Sequence, residues 1–450
     1  MTGHLGRNQH RLLVVAVGIV LAVPYGLRGP GYFREDWFSL ENARFEGWYA
    51  AAGPLVAETR PGAAAVYAVV FGLLDGRVVA AWMLLVVLHC LTALLLLSVI
   101  RTELGPPWAL AVTLVWVTMP NHTALTHWIS TANISVAMFL ALTGVLLLQT
   151  SDPPAVGRSI ASAGCFIAAI LTYEAVTLAA GLTVLIIASR SGKTRLPLAP
   201  AAGMAIGFLT FLILNYLSGE KQLLFDPAPQ QMISANFGWG LFDTPAWRIP
   251  QSLLITYGLT TLCVMSLPSI RRLAQPSDRV AAAGLLISIA GGLPFAPYAS
   301  DIDFVGLGDR ANSISSIGAA MIMTGLGARI CTFFASPWQR HVGLILTATL
   351  LLSFTSVRLR QATEWNLVWV WQRAVLTEAA LIAAEPPYTV TLGGGPVGTG
   401  AVEGLNNASD ASAALRWWLN DRTVVATLDV QVPNPLIQVE KHRPERLIHP

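Results

Sequence analysis

Long apolar runs separated by short polar connections dominate the chain. Windows of about 20 apolar residues, the length that crosses a hydrocarbon core about 30 Å thick, fall near 12–26, 78–100, 107–119, 132–149, 159–172, 175–189, 196–217, 251–269, 279–294, 313–333 and 341–356. The pattern predicts about eleven transmembrane helices. The pair inside 159–189 reads equally as one helix broken at Thr172-Tyr173-Glu174. The first run, Leu12 to Val23, follows Arg7 and Arg11 as in a signal peptide. Pro24-Tyr25-Gly26-Leu27 offers no small-x-small cleavage site, however, so the run reads as a retained span.

Two segments break the pattern. Residues 27–77, between the first two spans, mix charge with aromatics: Arg34, Glu35, Asp36, Glu41, Arg44 and Glu46 alternate with Phe38, Phe45, Trp48 and Tyr49. The apolar stretch from Pro61 to Leu74 is shorter than a span needs. Such segments lie in the interface, and two juxtamembrane helices are expected. Pro61 suits the first turn of the second, and Asp75-Gly76 ends it. From 357 the run character is lost. Charged and aromatic residues alternate at helical spacing over 359–383, and Glu385-Pro386-Pro387 stops them. Residues 388–394 and 423–432 read as strands by β-branched alternation, with a helix over 411–419. The expected organisation is a membrane part over 1–356 and a small α+β domain over 357–450, near the lower size limit for an independent core.

Composition agrees with the run pattern. With 54% hydrophobic residues, 12% charged and a mean hydropathy of +0.58, the chain lies outside the range of a soluble enzyme. The reading is an all-α polytopic membrane protein with juxtamembrane helices and a small C-terminal domain. A net charge of +3 is too small to imply nucleic acid. The four cysteines all fall in apolar runs, which suits packed core residues rather than disulfides or metal. Basic residues orient the chain. An N-terminus inside puts Arg101, Arg158, Arg190, Arg271, Arg272 and Arg329 on the cytoplasmic side of a bacterial plasma membrane. Residues 27–77, 120–131, 173–174, 218–250, 295–312 and the tail from 357 then lie on the exoplasmic side. The opening charge cluster is among them.

The order of motifs along this exoplasmic side resembles the C-type glycosyltransferase superfamily of multispan membrane enzymes. A first span leads to an acidic pair, Glu35-Asp36, followed by an aromatic. Arg60-Pro61 then introduces a helix ending LLDG, PNHTALTHWISTANISVAMFLAL follows at 120–142, and LTYEAVTLAAGL at 171–182. Together these cover about the first 220 residues, and the second stretch is similar to protein-mannosyltransferase-like branches. The resemblance implies transfer of a sugar from a polyprenyl-phosphate donor to an acceptor at the exoplasmic face. Two departures are visible: the pair is Glu-Asp where many relatives carry Asp-Asp, and Tyr173 stands where relatives often have a basic residue.

Inverting transfer needs a base to take the acceptor hydroxyl's proton, and Asp36 is the candidate, with Glu35 beside it. Burial and Glu35 would raise its pKa, and Arg34 would lower it. The departing phosphate needs cations or N–H donors. Arg310, in GLGDRAN, and Arg60 are candidates. Glu174, set between two apolar runs, must be paired or line a cavity, and His122 is a candidate substrate contact. Glu41 and Glu46 read as solvated. An acidic pair can also hold a divalent cation, and the sequence leaves metal open. Two other readings stay open: a flippase or transporter of lipid-linked glycans, which would carry charges at mid-membrane on broken helices, and a noncatalytic scaffold in envelope assembly. No dinucleotide fingerprint is present, because the glycines of GGGPVGTG, 393–400, have the wrong spacing.

Overall fold

The computed structural model describes residues 6–149, 156–190, 198–218, 257–261, 275–295, 312–382, 389–393, 398–399, 402–405, 408–429 and 437–440. The helices are α1 (Arg7–Leu27), α2 (Glu35–Glu46), α3 (Gly53–Thr59), α4 (Pro61–Tyr67), α5 (Val78–Leu104), α6 (Pro106–Thr118), α7 (Ala124–His127) and α8 (Ala132–Gln149). They continue with α9 (Val156–Thr172), α10 (Val176–Arg190), α11 (Leu198–Leu217), α12 (Pro276–Gly292), α13 (Ser315–Cys331), α14 (Ser336–Ile382) and α15 (Ala408–Leu419). Among them, segments at Arg7–Leu27, Val78–Leu104, Ile129–Gln149, Ala199–Leu217, Pro276–Phe295 and Ser336–Leu381 are long and apolar enough to cross a membrane. Shorter apolar helices fill the remaining places in the bundle. Of the expected span at 251–269, only 257–261 lies within the described residues.

Helix α5 shows why the surrounding medium is lipid. One stripe, Ala81, Leu85, His89, Ala93 and Leu96, is buried, while Val79, Met83, Val87 and Leu91 repeat every four residues along an exposed face. A helix apolar on both its packed and its outward faces belongs in a membrane. The protein is therefore an integral membrane protein of polytopic helical fold. The bundle core joins α1, α5, α6, α8, α9, α10, α12 and α13. Helices α12 and α13 approach to backbone contact: a Cβ on Gly318 would stand 2.2 Å from the Gly284 carbonyl oxygen. Such small-residue seams are how membrane helices gain packing without a hydrophobic driving force.

The chain between the first two spans folds as expected. Pro61 sits in the first turn of α4, which continues as a π-helical turn over Ala68–Leu73, and positive φ angles at Asp75 (41°) and Gly76 (72°) end it before α5. The break at Tyr173-Glu174 separates α9 from α10 as two helices.

At the far end the sequence reading needs correction. The boundary expected at 356/357 falls inside one continuous 47-residue helix, α14. At 1.5 Å per residue it is about 70 Å long, more than twice the hydrocarbon thickness. No Pro or Gly interrupts it after Gly343, so nothing ends the helix when its apolar run gives way to charge. Its second half buries Arg358, Gln361, Ala362, Trp365, Val368, Trp369, Gln372 and Leu376, a stripe at three- and four-residue spacing.

That stripe backs a second, aromatic core shared by the end of α1, α2, the 120–131 loop and the C-terminal segment. Trp37 lies within 5.7 to 6.1 Å, centroid to centroid, of Tyr32, Trp369 and Trp417. Strands β1 (Thr389–Gly393), β4 (Val425–Asp429) and β5 (Ile437–Glu440) form a sheet in the order β4-β1-β5, β4 parallel and β5 antiparallel to β1. Between β1 and β4 stand a short hairpin, β2 (Gly398–Thr399) with β3 (Val402–Glu403), and α15. The C-terminal segment does not keep its hydrophobic residues to itself: Leu405, Ala411, Ala414 and Leu415 join the aromatic core. Glu41 is not solvated either. It meets Arg416 at 3.1 Å, and Arg44 donates to the Trp417 carbonyl and the Asn420 side chain. Much of the opening charge cluster is thus an interface with α15.

Candidate functional site

Asp36 lies in the first turn of α2, and its side chain is fully buried. The helix starts abruptly because Arg34 adopts a φ of 44°, which turns the chain in the left-handed region. One carboxylate oxygen, Oδ2, accepts the Phe33 N–H at 2.9 Å. The other, Oδ1, accepts the Ser130 N–H at 2.9 Å and a short bond from the Ser130 hydroxyl. Burial pushes the Asp36 carboxyl up to about 8. The Ser130 hydroxyl and the two N–H donors hold it back, and the neighbouring Glu35 adds to the rise. The sequence left open whether burial or Arg34 would dominate; burial does. Glu35 is half-buried in the same helical turn.

The 120–131 loop that carries Ser130 is itself buried throughout. Trp128 Nε1 donates to the Phe33 carbonyl, and Tyr67 on α4 donates to the Ser130 carbonyl at 3.1 Å. His122 stacks on Trp116 at 5.0 Å and 9°, and its Nδ1 lies 3.2 Å from Asn121 Oδ1. Burial, then the charge of Arg358, holds the His122 imidazole well below its usual range and lowers His127 to about 3. Both rings are neutral at physiological pH. His122 is packed in the interior rather than presented at a surface.

Arg60 and Glu174 come together, which their separate treatment in the sequence does not anticipate. Arg60 Nε and Nη2 donate to the two oxygens of Glu174 at 2.8 and 2.7 Å, a bidentate pair whose side chains are 33% and 20% exposed. The carboxylate at the α9–α10 break thus has its partner in the first loop. Gly62 permits the approach: a Cβ there would lie 2.9 Å from the Thr172 amide nitrogen. Gly62→Val is expected to push α4 off the end of α9 and to lower stability by about 1–3 kcal/mol, read as a lower Tm in detergent. Tyr67, which donates to the Ser130 carbonyl, stands at the end of α4, about two helical turns of backbone beyond Arg60. Arg310 lies outside the described residues.

Among the described residues no group of three or more His, Cys, Asp or Glu side chains is arranged to hold a metal ion. The Asp36 oxygens face hydrogen-bond donors from Phe33 and Ser130.

Ser130 and Arg358 escape the sequence reading. Ser130 is one hydroxyl in ISTANIS with nothing local to mark it. Arg358 had a signal: it shares a helical stripe with Gln361, Trp365 and Gln372, three, seven and fourteen residues on.

No protein-family model matches the sequence, and no curated protein matches it at a significant level. Among solved structures the chain is similar to ArnT from Cupriavidus metallidurans in the apo state. Identity is 14%, the match covers 93% of this chain and 85% of that one, and the TM-score is 0.51. It is also similar to ArnT from Cupriavidus metallidurans bound to undecaprenyl phosphate, at 15% identity over 92% of this chain and 85% of that one, with a TM-score of 0.48. At this identity the likeness is one of fold alone.

Proposed function

We propose that this protein is a membrane glycosyltransferase that moves a sugar from a polyprenyl-phosphate donor to an acceptor hydroxyl at the exoplasmic face, with inversion. The observation that carries the reading is Asp36: a carboxyl sealed into the first loop of a C-type fold, its pKa raised to about 8 and its oxygens aligned by the second loop. A general base works best with a pKa near the operating pH, and burial supplies that here. A donor of the class found bound to ArnT, a polyprenyl phosphate, brings its own membrane anchor, because each buried CH₂ contributes about 0.8 kcal/mol of membrane affinity.

In the proposed reaction the acceptor oxygen attacks the anomeric carbon from the side opposite the phosphate. A new C–O bond forms as the C–O bond to the phosphate breaks. The hydroxyl proton passes to Asp36, and the electron pair leaves with the polyprenyl phosphate. Asp36 is closed off by Ser130, whose hydroxyl donates to Oδ1 as an acceptor hydroxyl must. The acceptor hydroxyl donates to a carboxylate lone pair that the Phe33 and Ser130 donors leave open. Arg60 receives the phosphate. Its planar fork suits two phosphate oxygens as well as the two oxygens of Glu174, so Glu174 holds the fork in position and gives way to the donor.

The test is product analysis by mass spectrometry with synthetic polyprenyl-phosphate sugars as donors. Formation of the inverted glycoside supports the assignment, and translocation of a lipid-linked glycan without transfer overturns it. Ser130→Ala carries a further expectation. Loss of a hydroxyl that lowers the Asp36 pKa is expected to move the rising limb of the rate profile to higher pH, measured as kcat/KM from pH 6 to 10.

A further inference from the structure

The outer half of α14 carries three buried polar side chains that donate to the two loops of the site. Gln372 Nε2 reaches the Tyr32 carbonyl at 3.1 Å, and Asn366 Nδ2 reaches the Gly29 carbonyl at 3.0 Å. Arg358 differs from both, because it is a cation only 2% exposed. Its Nη1 donates to the Val117 carbonyl in the last turn of α6, where the helix dipole favours positive charge. Its Nη2 donates to Thr126 Oγ1 at 2.8 Å, in α7. One guanidinium thus ties the end of α6 to α7 within the 120–131 loop. Four residues after Thr126, Ser130 meets Asp36.

Burying a guanidinium is costly, and a loop that only had to be covered could be covered by an apolar side chain. What the charge adds is direction. A planar fork with fixed donors holds two points of backbone and side chain at set angles, as a flexible lysine or a hydrophobe cannot. We propose that Arg358 is a positioning residue for the Asp36 site, fixing the 117–131 segment so that Ser130 is aligned on the carboxyl. The inference rests on the function proposed above for its kinetic consequence, though not for its structural one. Arg358 reaches the reacting atoms only through the loop.

Hydrogen exchange of the full-length protein in detergent, paired with kinetics, tests this. Arg358→Gln is expected to raise amide exchange over 120–131 and 33–36 by about tenfold, with α12 and α13 unchanged. It should also lower kcat by about 10- to 100-fold with the donor KM held, because misplacement of a reacting group costs that order of rate. Thr126→Val, which keeps the cation and removes its loop-side acceptor, is expected to give the same pattern at smaller size. Arg358→Lys should recover less than half of the wild-type kcat. Unchanged exchange over 120–131 in both Arg358→Gln and Thr126→Val would overturn the proposal, and so would an increase spread evenly through the bundle in both. If the wild-type chain transfers no sugar, the proposed function fails while the exchange pattern still decides this one.

Discussion

Asp36→Asn is expected to fold and to lose sugar transfer by about 10²- to 10⁴-fold, the usual contribution of a general base. The amide retains an oxygen for the Ser130 donors but sets an NH₂ against the Phe33 N–H, so a modest drop in Tm should accompany the loss. In the wild type the rate should climb with pH through about 8 as the carboxyl ionises. Stability should run the other way. The folded-state pKa of about 8 lies above the ordinary 3.8, so between those values the folded chain holds a proton that the unfolded chain has released. The stabilisation is fully present below pH 3.8 and is lost as pH rises through about 8. Thermal unfolding from pH 5 to 9 should therefore show a decline in the wild type that Asp36→Asn flattens. Full transfer activity in the variant would remove Asp36 from the mechanism, and Glu35→Gln would be the next substitution to make.

The second large effect is expected at the ion pair. Arg60→Ala should cut kcat/KM for the polyprenyl-phosphate donor by about 10²-fold, the scale of losing one charge-assisted contact to a developing anion. Acceptor KM should hardly move. The substitution also strands Glu174, but that carboxylate is 20% exposed and keeps some contact with solvent, so the loss of stability should be small. Arg60→Ala combined with Glu174→Ala separates the two effects. Recovery of donor use in the double variant would show that an unpaired carboxylate, and not a missing phosphate anchor, caused the loss. Direct measurement of donor binding by titration with a non-transferable analogue gives the same answer without turnover.

Much of this architecture was legible along the chain because its causes are local. Apolar runs of span length, Pro61 at a helix start, Asp75-Gly76 at its end and β-branched alternation at 388–394 each act within a few residues. Among the described residues, helices and strands stand at those signals. The reading failed at 356/357 for a related reason. A change from apolar to charged residues marks a change of environment, and a helix crosses such a change whenever no breaker residue ends it.

The site depended on contacts that no local pattern encodes. Asp36 meets Ser130 across 94 residues of sequence, Arg60 meets Glu174 across 114, and Arg358 meets Thr126 across 232. The sequence by itself determined that a membrane bundle forms and that its charged first loop opens with an acidic pair. Only the tertiary structure decided that Asp36 is sealed and its proton held to about pH 8, that Glu174 is Arg60's partner, and that a buried cation on a distant helix holds the second loop. Desolvation and pairing set these properties. Both depend on which atoms surround a charge in space, and residue type and spacing along the chain do not specify that.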